Sequence, residues 1–124
     1  MPGLTQLDPT RIAMNQVDHD MCAAIKSRQS ANLGNTKVTQ NTALQYGEVW
    51  LYETRIARFN YANGLIEMTN GGHYTETTKR RLNALLDMFT NSGGGQGIYS
   101  HSGQWFWRGG EPWDETGIIA RFLP

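Results

Sequence analysis

Residues 55–69 read RIARFNYANGLIEMT, and this stretch decides the fold. Apolar and polar side chains alternate on both sides of Asn63-Gly64, which is the pattern of strands that are buried on one face. Asn-Gly is the strongest short signal for a two-residue type I′ turn, because both central residues need a positive φ. The sequence therefore predicts a hairpin of two strands, 55–62 and 65–69.

The register of this hairpin predicts which of its faces is buried. A two-residue turn places Tyr61 opposite Ile66 and Phe59 opposite Met68, and residues that lie opposite each other share a face. Together with Ala57, these residues form an apolar face. The other face is polar and carries Arg58, Asn60, Glu67 and Thr69.

Further short strands are predicted on both sides of the hairpin. Residues 36–39 and 48–52 suit strands, the second with clear alternation of side chains. The C-terminal region, over about residues 97–122, is predicted to form a second hairpin that turns near Ser102-Gly103, followed by a last strand. Because short turns join these strands in chain order, antiparallel pairing is expected.

The N-terminal region is predicted to form an amphipathic helix over about residues 9–28. Asp8 is a favoured N-cap, and Pro9 stands at the first helical position, where proline is favoured. Asp18 and Cys22 are assigned to the polar side of this helix. The apolar side recurs at helical spacing and consists of Met14, Val17, Met21, Ala24 and Ile25.

A second helix is predicted over about residues 77–90, ahead of a glycine-rich segment. The order of elements predicts a single α+β domain over residues 1–124, with an antiparallel sheet of about four to six strands and two helices packed on it. The apolar stripe of the second helix is expected to pack on the apolar face of the hairpin. It consists of Leu82, Leu85, Leu86 and Phe89.

The composition excludes several classes of function. The chain has 124 residues with 11 Lys plus Arg and 11 Asp plus Glu, so no overall field attracts DNA or an acidic membrane. Cys22 is the only cysteine, which excludes an internal disulfide. No apolar run approaches the roughly 18 residues of a membrane span, and the N-terminus lacks the pattern of a signal peptide. A cytoplasmic protein without a membrane partner is expected.

The start of the second helix is a candidate site for an anion or for nucleic acid. Cations in the first turn of a helix oppose its dipole, and a bound anion would reverse that cost. The alternative is a threonine N-cap followed by a solvated basic patch. The candidate residues are Thr75, Thr77, Thr78, Lys79, Arg80 and Arg81.

An aromatic cluster near the C-terminus is a candidate interaction surface. Strand alternation places Trp105 and Trp107 on one face and Phe106 on the other. Aromatic rings beside cations stack on bases or form hot spots of protein interfaces, and the alternative is a structural role in the core. The candidate residues are Tyr99, Trp105, Trp107, Arg108 and Trp113.

No catalytic residue, metal site or cofactor is predicted. His19 and Cys22 lie three residues apart on a predicted helix, but structural zinc needs four ligands and there is no second cysteine. Ser100 and His101 are adjacent strand residues, so their side chains are expected to point to opposite faces. The sequence therefore favours a protein that is not an enzyme.

Several segments together resemble a family of small bacteriophage-encoded proteins. Residues 35–38 read NTKV, and residues 75–86 read TETTKRRLNALL, where Arg81 and Asn83 match the arginine and asparagine of the family's T-x-T-T-x-x-R-L-N-x-x-L motif. An aromatic hairpin follows, and the resemblance covers about residues 30–110. It implies a phage origin and a location in the cytoplasm of the infected cell.

One segment departs from the family pattern. Where the family often reads L-H-G-N-x-I-A, residues 51–57 read LYETRIA, so that Tyr52 and Glu53 replace the His-Gly pair. The resemblance implies an origin but supplies no mechanism.

Two functions remain open from the sequence. The first is a protein that binds a host or phage protein, or its own copy as a homo-oligomer. The second is a protein that binds nucleic acid or a nucleotide phosphate, and the balance of charges weighs against it. The second hypothesis uses Lys79, Arg80, Arg81, Arg108, Trp105 and Trp107.

Overall fold

The computed structural model describes residues 15–90, 97–107, 109–114 and 117–121. These residues form two helices, an antiparallel sheet with the strand order β1-β2-β3-β4-β5-β8 and a separate β6-β7 hairpin, which confirms the α+β class. The helices are α1 (Gln16–Ser27) and α2 (Glu76–Phe89). The strands are β1 (Ala31–Asn32), β2 (Thr36–Asn41), β3 (Tyr46–Leu51), β4 (Thr54–Asn60), β5 (Leu65–Met68), β6 (Ile98–His101), β7 (Gln104–Trp107) and β8 (Gly117–Arg121).

The turn between β4 and β5 differs from the prediction. Its four residues are 61–64, so the predicted two-residue turn at Asn63-Gly64 is wrong. The side-chain oxygen Oδ1 of Asn60 accepts hydrogen bonds from the backbone N–H groups of Ala62 and Asn63. The N–H of Gly64 donates to the carbonyl oxygen of Asn60 at 2.8 Å. An asparagine that caps its own turn therefore replaces the type I′ geometry.

The register slips by two residues as a result, and the buried face survives the slip. Phe59 lies opposite Ile66, and Ala57 lies opposite Met68. Because side chains alternate with a period of two along a strand, a two-residue slip returns each side chain to its original face. All four of these residues are buried, as predicted.

A turn with two positive φ angles does occur in the second hairpin. Ser102 and Gly103 have φ angles of 53° and 78° and connect β6 to β7. The predicted position of this turn is confirmed. His101 and Gln104 lie opposite each other directly before and after it.

Helix α1 begins later than predicted. Asn15 has an extended backbone, with a ψ of 174°, and its side chain accepts a hydrogen bond from the N–H of Asp18 at 2.8 Å. Asn15 is therefore the N-cap, and a continuous helix over residues 9–28 is wrong. Asp8 and Pro9 lie outside the described residues.

The predicted stripe of α2 lies in the core. Leu82, Leu85 and Leu86 are fully buried. The ring of Phe89 meets the ring of Phe59 on β4 edge to face, with 5.0 Å between centroids. This packing confirms that the apolar face of the hairpin is the one that α2 covers.

A buried ion pair joins the two helices. Arg81 of α2 donates from Nη1 to Oδ1 of Asp18 on α1 at 2.8 Å, and the two side chains are only 5% and 1% exposed. The Nε of Arg81 donates to Oγ1 of Thr36 at 3.0 Å, and its Nη2 lies 3.5 Å from Oδ1 of Asn35. The prediction that Asp18 lies on the polar, solvent-facing side of α1 is wrong. Asp18 is buried because its carboxylate neutralises the guanidinium of Arg81 on the neighbouring helix.

Cys22 also faces the interior instead of the polar side of α1. Its side chain is 1% exposed, and its Sγ contacts the carbonyl oxygen of Ala84 on α2 at 3.8 Å. Burial, with smaller contributions from the charges of Asp18 and Asp87, raises the pKa of the thiol from 9.0 to about 12. Because α1 packs against both α2 and the sheet, the buried side of α1 is wider than its apolar stripe.

We expect Asp18→Asn to destabilise the protein by about 3–5 kcal/mol, because it leaves the charge of Arg81 buried without a counter-ion. Urea unfolding monitored by circular dichroism measures the change. Replacing both partners, with Asp18→Leu and Arg81→Met, should cost less than Asp18→Asn alone. The control is Glu76→Gln, which breaks a surface pair with Lys79 in which the carboxylate is 76% exposed, and it should cost less than about 1 kcal/mol. Equal costs for Asp18→Asn and Glu76→Gln would contradict the assignment.

The raised pKa of Cys22 makes stability depend on alkaline pH. Above the ordinary pKa of 9.0 and below about 12, the unfolded chain loses the thiol proton while the folded chain keeps it. The free energy of unfolding should therefore fall with rising pH in this window, by up to about 1.4 kcal/mol per unit from this group. Cys22→Ala removes this contribution, so its stability should fall less steeply between about pH 9 and pH 10.5. Parallel curves for the two proteins would show that the thiol does not contribute.

Candidate functional site on the outer face of the sheet

Two tryptophans of the C-terminal region lie in the core, and a third packs against it. Trp105 and Trp113 are 4% and 8% exposed, with 5.6 Å between their ring centroids, and Trp107 packs 5.0 Å from Trp113. Trp105 and Trp107 share a face as predicted. Burial takes Trp105 out of the predicted interaction surface, whereas Trp107 is partly buried and its assignment stays a prediction. The face that carries the two indole rings has the larger apolar area, so it is the one that the fold buries. Arg108 lies outside the described residues.

The exposed face of this hairpin carries a smaller aromatic pair. Tyr99 is exposed, and its ring stacks on that of Phe106 with 5.7 Å between centroids. Of the predicted aromatic surface in the described part of the chain, Tyr99 is thus the member that faces solvent.

The side chains of the residues predicted as a site at the start of α2 make separate contacts within the protein. Thr75 is the N-cap, and its hydroxyl contacts both the N–H and the hydroxyl of Thr78, which is buried. Lys79 donates to the hydroxyl of Ser100 at 3.0 Å and pairs with Glu76 at 2.8 Å. These contacts connect the start of the helix to its own first turn and to β6.

The cations at the start of α2 do not form one patch. Arg80 is exposed, whereas Arg81 is engaged with Asp18 in the interior. Thr77 is partly exposed. Arg81 is therefore not available to an anion at the start of the helix, and anion binding by the other residues stays a prediction.

The motif residues of the family resemblance have structural contacts. Asn35 and Thr36 hold Arg81, as described above. The side-chain amide of Asn83 donates to the carbonyl oxygen of Ile98 at 2.9 Å and accepts from its N–H at 2.8 Å. This pair of bonds fixes β6 to α2. The contacts of these motif residues therefore connect α2 to β2 and to β6.

A different surface combines aromatic and charged side chains that are partly or fully exposed. It lies on the side of the sheet that faces away from the helices, and we call it the outer sheet face. Along β2 and β3 its residues alternate with the buried residues of the core. On β4 two buried residues, Ile56 and Ala57, separate Arg55 from Arg58, because the register between β3 and β4 shifts there. It consists of Lys37 and Thr39 on β2, Tyr46, Glu48 and Trp50 on β3, and Arg55 and Arg58 on β4.

Trp50 occupies the centre of one cross-strand row on this face. Lys37 lies opposite it on β2, and Arg55 lies opposite it on β4. The indole Nε1 of Trp50 donates to Oγ1 of Thr39 at 3.1 Å. Because its only polar atom is already bonded, the ring is held in place and offers an apolar surface between two cations.

Glu48 organises the next row of the outer sheet face. Its Oε2 accepts hydrogen bonds from Arg55 at 2.7 Å and from Arg58 at 3.2 Å. The guanidinium of Arg58 lies over the ring of Tyr46, 4.4 Å from the centroid. These contacts hold both guanidinium groups beside Glu48 and that of Arg58 over the ring of Tyr46.

Tyr52 stands at the edge of this face in an unfavourable backbone conformation. It occupies the turn between β3 and β4 with a φ of 55°, and it is 70% exposed. Its N–H donates to the carbonyl oxygen of Asn35 at 2.7 Å, which helps to hold the turn. A bulky residue in the left-handed region costs about 1–2 kcal/mol. An exposed ring does not repay this cost through burial, so the arrangement points to a role at the surface.

The turn and the Trp50 row together form an open groove. Its volume is about 350 Å³, and its lining combines two aromatic side chains with polar and charged ones. Such a surface can hold a flat or apolar group against the indole ring while the cations orient an acceptor. The lining residues are Lys37, Thr39, Trp50, Tyr52 and Glu53.

The sequence contained a signal for this site. Residues 48–52 alternate, so that once Val49 and Leu51 are assigned to the core, Trp50 and Tyr52 must lie on the solvent side. Two large aromatic residues on a polar strand face are the signal. Strand position by itself does not identify them as exposed, because a second layer covers both faces of many sheets.

The residues considered for a metal site are held apart. His19 is exposed, whereas Cys22 points into the core. Within the described ranges, no group of three or more His, Cys, Asp or Glu side chains is placed to hold one metal ion. The same ranges contain no helix with the length and apolar character needed to cross a membrane.

Comparison with known proteins identifies a family that matches most of the chain. The family described as Kyanoviridae Gp96 protein, a family of phage proteins, matches residues 14–120. No curated protein and no solved structure matches the chain.

We expect Tyr52→Asn to raise the free energy of unfolding by about 0.5–1 kcal/mol, because asparagine adopts a positive φ more readily than tyrosine. Thermal or urea unfolding measures the change. Tyr99→Asn is the matched control, since Tyr99 is also exposed but lies on a regular strand. The control should leave the stability unchanged or lower it. Equal losses of stability for both variants would show that the turn is not strained.

Proposed function

The chain belongs to the Kyanoviridae Gp96 protein family, and we propose that it is a non-enzymatic phage protein that binds a host or phage protein through its outer sheet face. Its site of action in this proposal is the cytoplasm of the infected cell. Trp50 and Tyr52 make the central contacts, and the charged side chains around them fix the orientation of the partner.

The observation that carries the proposal is the exposure of Tyr52 at a positive φ beside Trp50. Tryptophan, tyrosine and arginine dominate the hot spots of protein interfaces. Three of the four tryptophans belong to the core or pack against it, whereas Trp50 lies on the outer sheet face. The fold thus has the means to bury large aromatic rings, and it leaves these two at the surface.

The charges of the outer sheet face favour a protein over nucleic acid as the partner. Glu48 and Glu67 lie opposite Arg58 on its two neighbouring strands, and Glu53 lines the groove. Carboxylates among the cations repel a polyanion, and the chain as a whole carries no net charge. Nucleic acid remains the second candidate, because Trp50 between Lys37 and Arg55 has the composition of a base-stacking platform.

The chemistry of the buried groups supports a non-enzymatic role. Cys22 is the strongest nucleophile type in the chain, but it is buried and its pKa is raised to about 12. At neutral pH it is therefore a thiol without access to a substrate. The motif residues Thr36 and Arg81 are engaged in holding the helices on the sheet.

A capture experiment from infected-cell extract tests the proposal. The tagged full chain should retain a protein partner after nuclease treatment. Trp50→Ala and Tyr52→Asn should lose the same partner, since each removes a central ring of the contact. Tyr99→Ala, which removes an exposed ring from the other hairpin, should retain it.

Two other outcomes of the capture, and one of size-exclusion chromatography, would change the identity of the partner or the location of the contact. Release of the captured material by nuclease would favour nucleic acid. Retention of the partner by Trp50→Ala and Tyr52→Asn would place the contact elsewhere on the protein. A concentration-dependent dimer in size-exclusion chromatography, abolished by Trp50→Ala, would identify the partner as a second copy of the chain.

A further inference from the structure

We infer that the outer sheet face pairs with the same face of a second copy of the chain, about a two-fold axis that runs along the strands between β3 and β4. This inference rests on the proposed function, because it names the phage protein that the same face would bind. Three features support it: the balance of charges on the face, their order across the strands, and the position of Tyr52.

The charges on the outer side of the sheet are balanced. Glu67 of β5 belongs to this side, since it is exposed and alternates with the buried Ile66 and Met68. A surface with equal numbers of both signs can complement a copy of itself, because each cation of one copy can meet a carboxylate of the other. Among the described residues the cations are Lys37, Arg55 and Arg58, and the carboxylates are Glu48, Glu53 and Glu67.

The register of the strands arranges these side chains in two rows. The first row, from β2 to β4, is Lys37, Trp50 and Arg55, and the second row, from β2 to β5, is Thr39, Glu48, Arg58 and Glu67. Two sheets that pack face to face commonly keep their strands aligned to within about 30°. A two-fold axis along the strands between β3 and β4 preserves each row and places β3 over β4, and β2 over β5, of the second copy.

This axis brings unlike groups together at the centre of the face. Glu48 faces Arg58 of the second copy, and its carboxylate can accept further hydrogen bonds, since both bonds within the chain use Oε2. Trp50 faces Arg55 of the second copy, which pairs an aromatic ring with a guanidinium. Arg55 keeps its bond to Glu48 in this arrangement, because bonds at the edge of a guanidinium leave its flat face free to stack.

The outer strands of the pair are complementary as well. Thr39 of β2 faces Glu67 of the second copy, and Lys37 lies two residues along β2, about 6.6 Å away. The flexible stem of a lysine covers that distance. Among the described residues, the ion pairs within the chain involve neither Lys37 nor Glu67, so both charges are available to the second copy.

Other two-fold axes bring like charges together. An axis along β4 itself places Arg58 on its own copy and Glu48 opposite Glu67. An axis across the strands, between the two rows, places Arg55 opposite Arg58. Because like charges that face each other are destabilising, the order of the charges selects the axis between β3 and β4.

Tyr52 lies beside this axis. The turn that contains it joins β3 to β4, and its side chain lines the groove beside Trp50. Since the axis runs between these two strands, the turns of the two copies meet at one end of the interface. The exposed tyrosine with a φ of 55° is therefore covered in the dimer.

The size of the face predicts a reversible dimer. Strands β2 and β3 have six residues each, so the four strands from β2 to β5 span about 20 Å by 19 Å, or roughly 400 Å² of flat area per copy. This is at the small end of specific interfaces. We expect a dissociation constant on the order of micromolar to tens of micromolar.

Sedimentation of the full chain at concentrations from about 1 to 500 µM measures this equilibrium. The mass should rise from that of a monomer to that of a dimer. Trp50→Ala should raise the dissociation constant about tenfold or more, since it removes an aromatic ring from the centre. Tyr99→Ala, which removes an exposed ring from the β6-β7 hairpin, should leave it unchanged.

Exchange of charges tests the pairing of residues. Lys37→Glu and Glu67→Lys should each weaken the dimer, because each places like charges opposite each other. An equimolar mixture of the two variants should restore it, since the new carboxylate at position 37 then meets the new ammonium at position 67. Lys26→Glu makes the same change at an exposed position of α1 and should keep the dimer. Thermal melts establish that each variant is folded.

Cross-linking tests the position of the axis. With a bis-maleimide that spans about 10 Å, the usual distance between packed sheets, Tyr52→Cys should give a covalent dimer. Tyr99→Cys, on the β6-β7 hairpin, should give much less. Cys22 is buried in the folded chain, so the introduced thiol is the reactive one.

Several outcomes would overturn the inference. A monomer at every concentration would exclude the second copy, and a dimer that Trp50→Ala leaves intact would use another face. Failure of the mixed charge variants to restore the dimer, or equal cross-linking at positions 52 and 99, would contradict the axis. If the chain is a monomer and Trp50→Ala loses a different protein captured from infected-cell extract, the proposed function stands and the second copy is wrong.

Discussion

The guanidinium group of Arg81 is the constraint on which the rest of the structure depends. It is buried between the helices and the sheet and contacts Asp18 of α1, Thr36 of β2 and Asn35 in the loop before β2. A buried charge is costly unless its partners are placed accurately, so these contacts admit one position of α1 relative to α2 and the sheet. The ion pair thus joins elements that are distant in the sequence, which neither the short turns nor the apolar stripes do by themselves.

The same network connects the interior to the proposed binding surface. The side chain of Asn35 contacts Arg81. The backbone carbonyl of Asn35, directly before β2, accepts a hydrogen bond from the N–H of Tyr52, directly after β3. The turn that carries Tyr52 is therefore attached to the most tightly specified part of the fold. A strained, exposed residue persists only where its surroundings fix it, and this attachment provides that support. Helices on one side of the sheet leave Trp50 and its neighbouring cations on the other.

Much of the fold could be predicted from local patterns, and the errors have physical causes. The α2 stripe was recognised because leucine recurs at helical spacing, and the buried face of β4 and β5 survived a wrong turn because a slip of two residues keeps every side chain on its face. The start of α1 was misplaced because Asp8-Pro9 resembles a cap as closely as Asn15 does. The roles of Asp18 and Trp105 were misjudged because polarity and aromaticity do not reveal which element packs against a residue.

By itself, the sequence determined the α+β class, the faces of the central hairpin, the stripe of α2 and the family, since all of these follow from periodicity and short motifs along the chain. Only the tertiary structure decided which polar and aromatic groups are buried, paired or exposed. It paired Arg81 with Asp18 across 63 residues of sequence, buried Trp105 and Trp113, and left Trp50 partly exposed and Tyr52 exposed. The physical reason is that burial depends on which surfaces meet in space, and that contact is set by long-range packing and charge pairing instead of by neighbours in the sequence.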